Sequence, residues 1–286
     1  MIRFLLNRLL VIFLIFNIGF SSYTDNNRLV TIGGCVTDIV FALDLGGSVV
    51  AVDQSSTYPA KAKELPQTGY IRNISAEGII SVFPGHIITT TDIGPPVVVQ
   101  QLQSSGIKIS IFKSPHSFED IIDLISGIST LLGVVDRGDA LIKELSDIKL
   151  AIDRIKSSYS YRPNIAFFMN PSAGSYNAAG SNTRADYLIK FIGGNNVFSD
   201  DFNKYRKVSR ESILIKNPDI ILIGSTVGMN GLDLQSVFHS KREFSILKSV
   251  KNNNVFNVDM GKHLGFGTGF AESSLDLIHK INIEQE

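Results

Sequence analysis

Residues 136–158, DRGDALIKELSDIKLAIDRIKSS, predict one long helix. Its apolar residues recur at intervals of three and four positions, which places them on one face of an α-helix; they are Leu141, Leu145, Ile148, Ile152 and Ile155. At about 1.5 Å per residue, such a helix is roughly 35 Å long, close to the diameter of a domain. It is therefore either an ordinary surface helix or a spine that joins two lobes.

On both sides of this segment, short apolar strands alternate with helices. An alternation of this kind implies mostly parallel sheets with helices on both faces. We predict strands at 29–32, 49–52, 86–90, 107–112, 164–169, 219–223 and 255–258, with helices at 37–45, 75–82, 97–104, 117–132, 184–192 and 271–281.

The predicted fold class follows from these two patterns. The chain is expected to be an α/β protein with two Rossmann-like lobes, each built on a parallel-type sheet and joined by one long spine helix. We place the N-terminal lobe at residues 28–133, the linking helix at 134–160 and the C-terminal lobe at 161–286.

A sequence pattern that occurs in both halves of the chain supports two related lobes. EGIISVFPGHII at 77–88 and ESILIKNPDIIL at 211–222 share a glutamate, a proline seven positions later and an apolar strand core. The matching glutamates, Glu77 and Glu211, could meet basic residues on a two-fold symmetric partner. Each could equally be a helix N-terminal carboxylate stabilised by the helix dipole, and the two interpretations are compatible.

Composition and the N-terminus narrow the class of protein. The chain has 286 residues with 27 basic and 27 acidic side chains, so no overall basic field indicates nucleic-acid binding. Its first residues, MIRFLLNRLLVIFLIFNIGFSS, combine early arginines, a short apolar run and small residues, which is typical of a secretory signal peptide. We predict a leader at residues 1–22, with an uncleaved membrane anchor as the alternative.

Catalytic motifs are missing from the sequence, since no G-x-S-x-G, H-E-x-x-H or C-x-x-C occurs in it. The run GFGTGF at 265–270 invites comparison with a dinucleotide fingerprint, but Phe270 stands at the third glycine position. We interpret it as a loop whose glycines let a flat ligand approach the backbone. A secreted α/β enzyme that uses this loop on a nucleotide or sugar is the alternative from another class.

The segment QTGYIRNIS at 67–75 places Tyr70 and Arg72 two residues apart in an extended stretch. Residues i and i+2 lie on the same face of a strand, so the phenol and the guanidinium are expected side by side. A neighbouring guanidinium favours a phenolate, which can bind ferric iron, as in tyrosine-ligated haem. The alternative is a half-buried strand tyrosine beside a solvated arginine.

Four segments carry a family resemblance: GYIRNISAEG, AAGSNTRADYLIKFIGGNNV, VSRESILIKNPDIILI and HLGFGTGF. They resemble the substrate-binding proteins of bacterial haem ABC importers, over nearly the whole chain after the leader. The resemblance implies haem in a cleft between two lobes. It implies Tyr70 as the axial iron ligand, Arg72 as its stabilising partner, and Glu77 and Glu211 as contacts to the permease dimer.

The sequence departs from those relatives that place a second-lobe histidine on haem. The corresponding segment, 169–180, is expected to be a loop and contains no histidine, and Tyr176 or Met169 is expected there to approach the iron or pack on the porphyrin. Gly265 and Phe266 are expected to lie against the flat face of the ligand. We therefore expect a monomeric periplasmic protein, not an enzyme, that captures haem for an ABC importer in iron acquisition. The same scaffold carrying a ferric siderophore or a corrinoid is the alternative.

Overall fold

The computed structural model of the chain describes residues 28–172, 175–225 and 235–283. Within these ranges the protein is α/β, with one main sheet on each side of a single long helix. The predicted leader at residues 1–22 lies outside the described residues. In the described ranges, no helix is both long and apolar enough to cross a lipid bilayer.

The first lobe is built on a four-stranded parallel sheet. The strands of this lobe are β1 (Leu29–Ile32), β2 (Val49–Val52), β3 (Gly69–Tyr70), β4 (Asn73–Ile74), β5 (His86–Thr90) and β6 (Lys108–Phe112). The helices of this lobe are α1 (Gly34–Ala42), α2 (Ala76–Ile80), α3 (Pro96–Ser104) and α4 (Phe118–Leu131). The sheet order is β2-β1-β5-β6, while β3 and β4 form a separate small hairpin. The chain moves from β1 to β2 on one side and returns to β5 on the other, which makes the β1–β5 boundary a topological switch point.

The long helix, α5, spans Val135–Ser157, so the prediction of one continuous helix in this segment is confirmed. Leu145 and Ile152 are buried, and the other apolar residues of the predicted face pack against the same core. The helix contacts α4 before it and the last helix of the chain after it. Its apolar stripe is therefore covered by helices from both halves of the chain.

The second lobe has a mixed sheet in the order β10-β8-β7-β11-β12, with β9 beside the start of β7. Its strands are β7 (Asn164–Ser172), β8 (Ser175–Ala179), β9 (Asn195–Asn196), β10 (Tyr205–Val208), β11 (Ile220–Ser225) and β12 (Val255–Asp259), and its helices are α6 (Arg184–Phe191), α7 (Arg210–Lys216), α8 (Ser236–His239), α9 (Lys248–Lys251), α10 (Met260–Leu264) and α11 (Gly269–Ile283). The expectation of a loop at 169–180 is wrong, because β7 continues and pairs antiparallel with β8.

The two lobes share one continuous apolar core. Phe118 of α4 stacks on Phe191 of α6 with ring centroids 5.9 Å apart, and the Phe118 backbone N–H donates to the Tyr187 hydroxyl at 2.8 Å. These contacts join the lobes independently of α5. The boundary between the lobes is therefore a packed interface on one side, with the strand ends and their loops on the other.

Candidate functional site

Tyr70 lies on the β3–β4 hairpin, which crosses the carboxyl edge of the first sheet. The Gln54 N–H, just after β2, donates to the Gly69 carbonyl at 2.8 Å, and the Gly94 N–H, just after β5, donates to the Ile71 carbonyl at 2.9 Å. These bonds hold the hairpin against the loops that follow strands on both sides of the switch point. In open α/β sheets, ligands bind at this edge and at this point.

The hairpin exposes the tyrosine and the arginine and buries the residue between them. Tyr70 is 47% exposed and Ile71 is buried, but Ile71 and Arg72 form the turn between the paired residues Tyr70 and Asn73. The expectation that Tyr70 and Arg72 share one extended strand is therefore wrong, because the chain reverses direction between β3 and β4. Within the described residues, the Tyr70 hydroxyl makes no hydrogen bond. The phenol oxygen is thus accessible at the edge of the sheet where a ligand would bind.

Asp92 follows β5 at the switch point and lies between two arginines. Its carboxylate is 3.9 Å from Arg72 of the hairpin and 3.6 Å from Arg184, the first residue of α6 in the second lobe. Within the described residues, Arg72 therefore pairs with Asp92. One carboxylate and two guanidinium groups leave a net positive charge at the boundary between the lobes.

Arg184 is held at this position by contacts within and between the lobes. Its Nη1 donates to the Leu264 carbonyl at 3.1 Å, its Nη2 lies 3.5 Å from the Pro115 carbonyl of the first lobe, and its guanidinium lies 5.2 Å from the Phe266 ring centroid. Thr183 caps α6 by accepting from the Asp186 N–H at 3.0 Å, which fixes where the helix begins. Sequence reasoning missed Arg184 and Asp92.

Tyr176 does not lie at the boundary between the lobes. It is buried inside the second lobe, where its ring packs against Phe168, Phe238 and Phe244 at centroid distances of 5.4 to 6.3 Å. The physical reason is the β7–β8 hairpin, since alternate residues of β8 point into the core. The structure therefore does not support the expected contact of Tyr176 with iron or porphyrin.

The GFGTGF segment turns the chain from α10 into α11 and is explained by internal packing. Phe266 is fully buried and stacks on Phe270 at 4.8 Å, so the expected exposure of its ring to a ligand is not supported. A side chain at Gly265 would overlap the Gly261 carbonyl, and one at Gly267 would overlap the Asp38 carboxylate. The glycines therefore permit close approach of the protein's own backbone.

Asp38 is a buried carboxylate of α1 that crosses to the second lobe. It accepts hydrogen bonds from the Thr268 N–H at 2.6 Å and from the Thr268 hydroxyl at 2.9 Å. Burial raises the pKa of the Asp38 carboxyl to about 6, against the opposing effect of these hydrogen bonds. The contact is thus a buried polar link between the two lobes.

Glu77 and Glu211 occupy matching positions in the two lobes. Both are exposed and lie in the first turn of a short helix, α2 or α7. Ser75 and Ser209 cap these helices, accepting from backbone N–H groups at 3.1 and 3.2 Å, which confirms the predicted cap at Ser75. Hydrogen bonds from its own backbone N–H and from Ser209 lower the pKa of Glu211. The sequence pattern shared by the two halves therefore corresponds to the same local structure in each lobe.

The described residues contain no group of three or more His, Cys, Asp or Glu side chains arranged to hold a metal ion. The boundary between the lobes offers one accessible phenol and a mixed-charge cluster. These features, on two α/β lobes joined by a long helix, define a two-lobed solute-binding protein.

The chain belongs to the periplasmic binding protein family, whose sequence model matches residues 29–260. It is 27% identical over 207 residues to a vitamin B12-binding protein of Vibrio parahaemolyticus, covering 71% of this chain and 74% of that protein. Its fold is similar to the apo periplasmic heme-binding protein RhuT from Roseiflexus sp. RS-1, with a TM-score of 0.81, 27% identity, and coverage of 91% and 99%. It is also similar to the periplasmic heme-binding protein BhuT in complex with two hemes, with a TM-score of 0.82, 26% identity, and the same coverage.

These similarities establish that the chain is a solute-binding protein and not an enzyme. They also confirm the predicted two-lobed fold class. The relatives are named for two different ligands, heme and vitamin B12, so the choice of ligand depends on the residues at the boundary between the lobes.

Proposed function

We propose that this protein captures haem between its lobes and delivers it to an ABC importer. The observation that carries the proposal is the exposed Tyr70, held on a hairpin at the switch point with its hydroxyl unbonded within the described residues. A tyrosine in this position can supply the single oxygen donor that ferric haem needs from a protein. The similarity to two heme-binding proteins at 27% and 26% identity supports the same ligand.

Tyr70 is proposed to be the axial ligand of the iron. Arg72 lies two residues away, in the exposed turn of the same hairpin, and is proposed to stabilise the iron-bound oxygen with its positive charge. Tyr176 is buried, so it supplies no second ligand in this arrangement. We therefore propose five-coordinate ferric haem with one protein ligand from the first lobe. Gly265, which is partly exposed, is retained as a proposed neighbour of the ligand.

A corrinoid is the second candidate ligand, and the similarity to a vitamin B12-binding protein favours it. The cobalt of cyanocobalamin already carries both of its axial ligands, so this corrinoid needs no phenolate from the protein. The two ligands thus predict different roles for Tyr70: a metal bond in one case and a surface contact in the other.

The experiment is a pair of titrations, with hemin and with cyanocobalamin, on the wild-type protein and on Tyr70→Phe. Haem binding predicts a Soret band and a high-spin charge-transfer band with hemin, both lost or shifted in Tyr70→Phe. Tyr161→Phe is the matched control, because Tyr161 is 55% exposed near the start of β7. Unchanged hemin spectra in Tyr70→Phe would reject the ligand assignment. Binding of cyanocobalamin without binding of hemin would establish the second candidate.

Delivery is proposed to take place in the periplasm, after export directed by residues 1–22. Glu77 and Glu211 are proposed to contact the two halves of a permease dimer, one from each lobe of a monomeric binding protein. Their matched positions support this, because two equivalent contacts suit a two-fold symmetric partner.

A further inference from the structure

The Asp92 carboxylate is held only loosely by its two arginines. Its distances of 3.9 Å to Arg72 and 3.6 Å to Arg184 both exceed the length of a hydrogen bond. Within the described residues, the Asp92 side chain accepts no hydrogen bond. The carboxylate therefore balances charge at this point without using the donors of either guanidinium.

Arg184 has donors to spare and is held rigidly. A guanidinium has five N–H donors, and Arg184 makes one hydrogen bond of normal length, to the Leu264 carbonyl at 3.1 Å. Its plane lies near the Phe266 ring, which is fixed in the core. About a third of its side chain is exposed. Such an arginine is preorganised to form paired hydrogen bonds with a carboxylate that enters the cleft.

The charge of the cluster also favours an acidic ligand group. Two guanidinium groups face one carboxylate, and one arginine comes from each lobe. A carboxylate bound here would contact both lobes at once. The Asp92 and Arg184 side chains are only 30% and 32% exposed, so a contact at Arg184 is less screened by solvent than one on the open surface.

We propose that Arg184, with Arg72, is the subsite for the free acid groups of the ligand, and that Asp92 competes with those acids for the same guanidinium groups. The inference rests on the proposed function and refines its substrate class. The ligand is a flat metal ring that carries at least one ionised carboxylate at its edge. Rings whose edge groups are neutral amides or esters are disfavoured.

Asp92 has a distinct role in this proposal, as a residue that sets specificity. In the empty protein it balances the two positive charges and keeps Arg184 oriented towards the first lobe. A ligand acid must displace Asp92 to reach the guanidinium groups, whereas a neutral ring has no acid to place there and leaves the Asp92 contacts undisturbed.

The test compares hemin with hemin dimethyl ester, which differs only by masking the two acids. Wild-type protein should bind hemin about tenfold more tightly than the ester. Arg184→Met should remove that difference by weakening hemin alone. Asp92→Asn should tighten hemin about threefold and leave the ester unchanged. Arg162→Met, which removes an exposed charge just before β7, is the matched control and should change neither ligand.

Each outcome separates this inference from the proposed function. Equal binding of hemin and its ester, with the Soret band still dependent on Tyr70, overturns the acid subsite and leaves haem binding intact. Equal losses in Arg184→Met and Arg162→Met overturn it too, because they indicate a general charge effect. Unchanged hemin binding in Asp92→Asn overturns the competing role of Asp92. This variant keeps every hydrogen bond of Arg184, so it still tests the proposal if Arg184→Met fails to fold. Absence of hemin binding by the wild type rejects both proposals.

Discussion

Thr268 of the second lobe donates both its backbone N–H and its hydroxyl to the Asp38 carboxylate of the first lobe, at 2.6 and 2.9 Å. This is a buried polar link, and its carboxyl has a pKa raised by burial to about 6. The stability of the packing between the lobes should therefore depend on pH and on Gly267, which lies against the Asp38 carboxylate.

The pH dependence of stability follows from that raised pKa. The folded protein binds a proton on Asp38 more tightly than the unfolded chain does, so this carboxyl contributes stability at pH values below about 4, and the contribution is lost as pH rises through 6. Asp38→Asn cannot ionise and can keep both contacts with Thr268. The thermal midpoint of Asp38→Asn minus that of the wild type should therefore increase between pH 4 and pH 7.

Asp44→Asn is the control for this measurement, because Asp44 is a highly exposed carboxylate just after the same helix. Its midpoint difference from the wild type should stay nearly constant over the same range. A pH-independent difference for Asp38→Asn would contradict the assignment.

Gly267 is required by the same link. A methyl group at Gly267 would overlap the Asp38 carboxylate, so Gly267→Ala should lower the free energy of unfolding by about 1–3 kcal/mol. A side chain at Gly47 would meet open space, and Gly47→Ala should change it by less than about 0.5 kcal/mol. Urea denaturation measures both, and equal effects would show that the overlap is relieved at no cost.

Phe83 combines a left-handed backbone conformation with an exposed side chain. Its φ is +49°, its side chain is 77% exposed, and Arg28 fixes its carbonyl at 3.1 Å. The equivalent residue of the second lobe, Asn217, has a φ of +39° and a side chain that suits this conformation. Phe83→Asn should therefore stabilise the fold by about 1 kcal/mol. A lower unfolding free energy in urea would mean that Phe83 makes a stabilising contact.

The paired glutamates should affect delivery without affecting capture. Glu77→Gln combined with Glu211→Gln should leave the hemin spectrum and the thermal midpoint unchanged, because both side chains are exposed. Affinity for the haem importer complex of the same organism, reconstituted in nanodiscs, should fall about tenfold or more. Glu144→Gln, on the exposed side of α5, serves as the control. Equal affinity of all variants would reject the docking role.

The sequence predicted those parts of the fold that repeat locally. The apolar stripe of α5, the buried runs of β1 and β5, and the serine cap at Ser75 are all short-range patterns, and the structure has them. The second sheet was harder to predict, because β10, Tyr205–Val208, is a largely polar strand without an apolar run. Tyr176 could have been recognised as a core residue, since it alternates with Ala178 along SYNAA.

The site was predicted only where its residues are neighbours in sequence. Tyr70 and Arg72 share one short segment, and the structure exposes both at the carboxyl edge of the sheet. Asp92 and Arg184 come from different lobes, and their contact depends on how the lobes pack. No periodicity or motif encodes such a contact, because it arises from the assembled interface.

The core that runs through both lobes limits how far the ligand-free and ligand-bound forms can differ in shape. Separating the halves would bring stacked aromatic rings into water and break the links at Phe118 and Asp38. The empty and filled molecules should therefore have nearly the same outline and hydrodynamic radius. A transporter that distinguishes the two forms would therefore have to contact the bound ligand itself, because the conformation of the binding protein would be nearly the same in both.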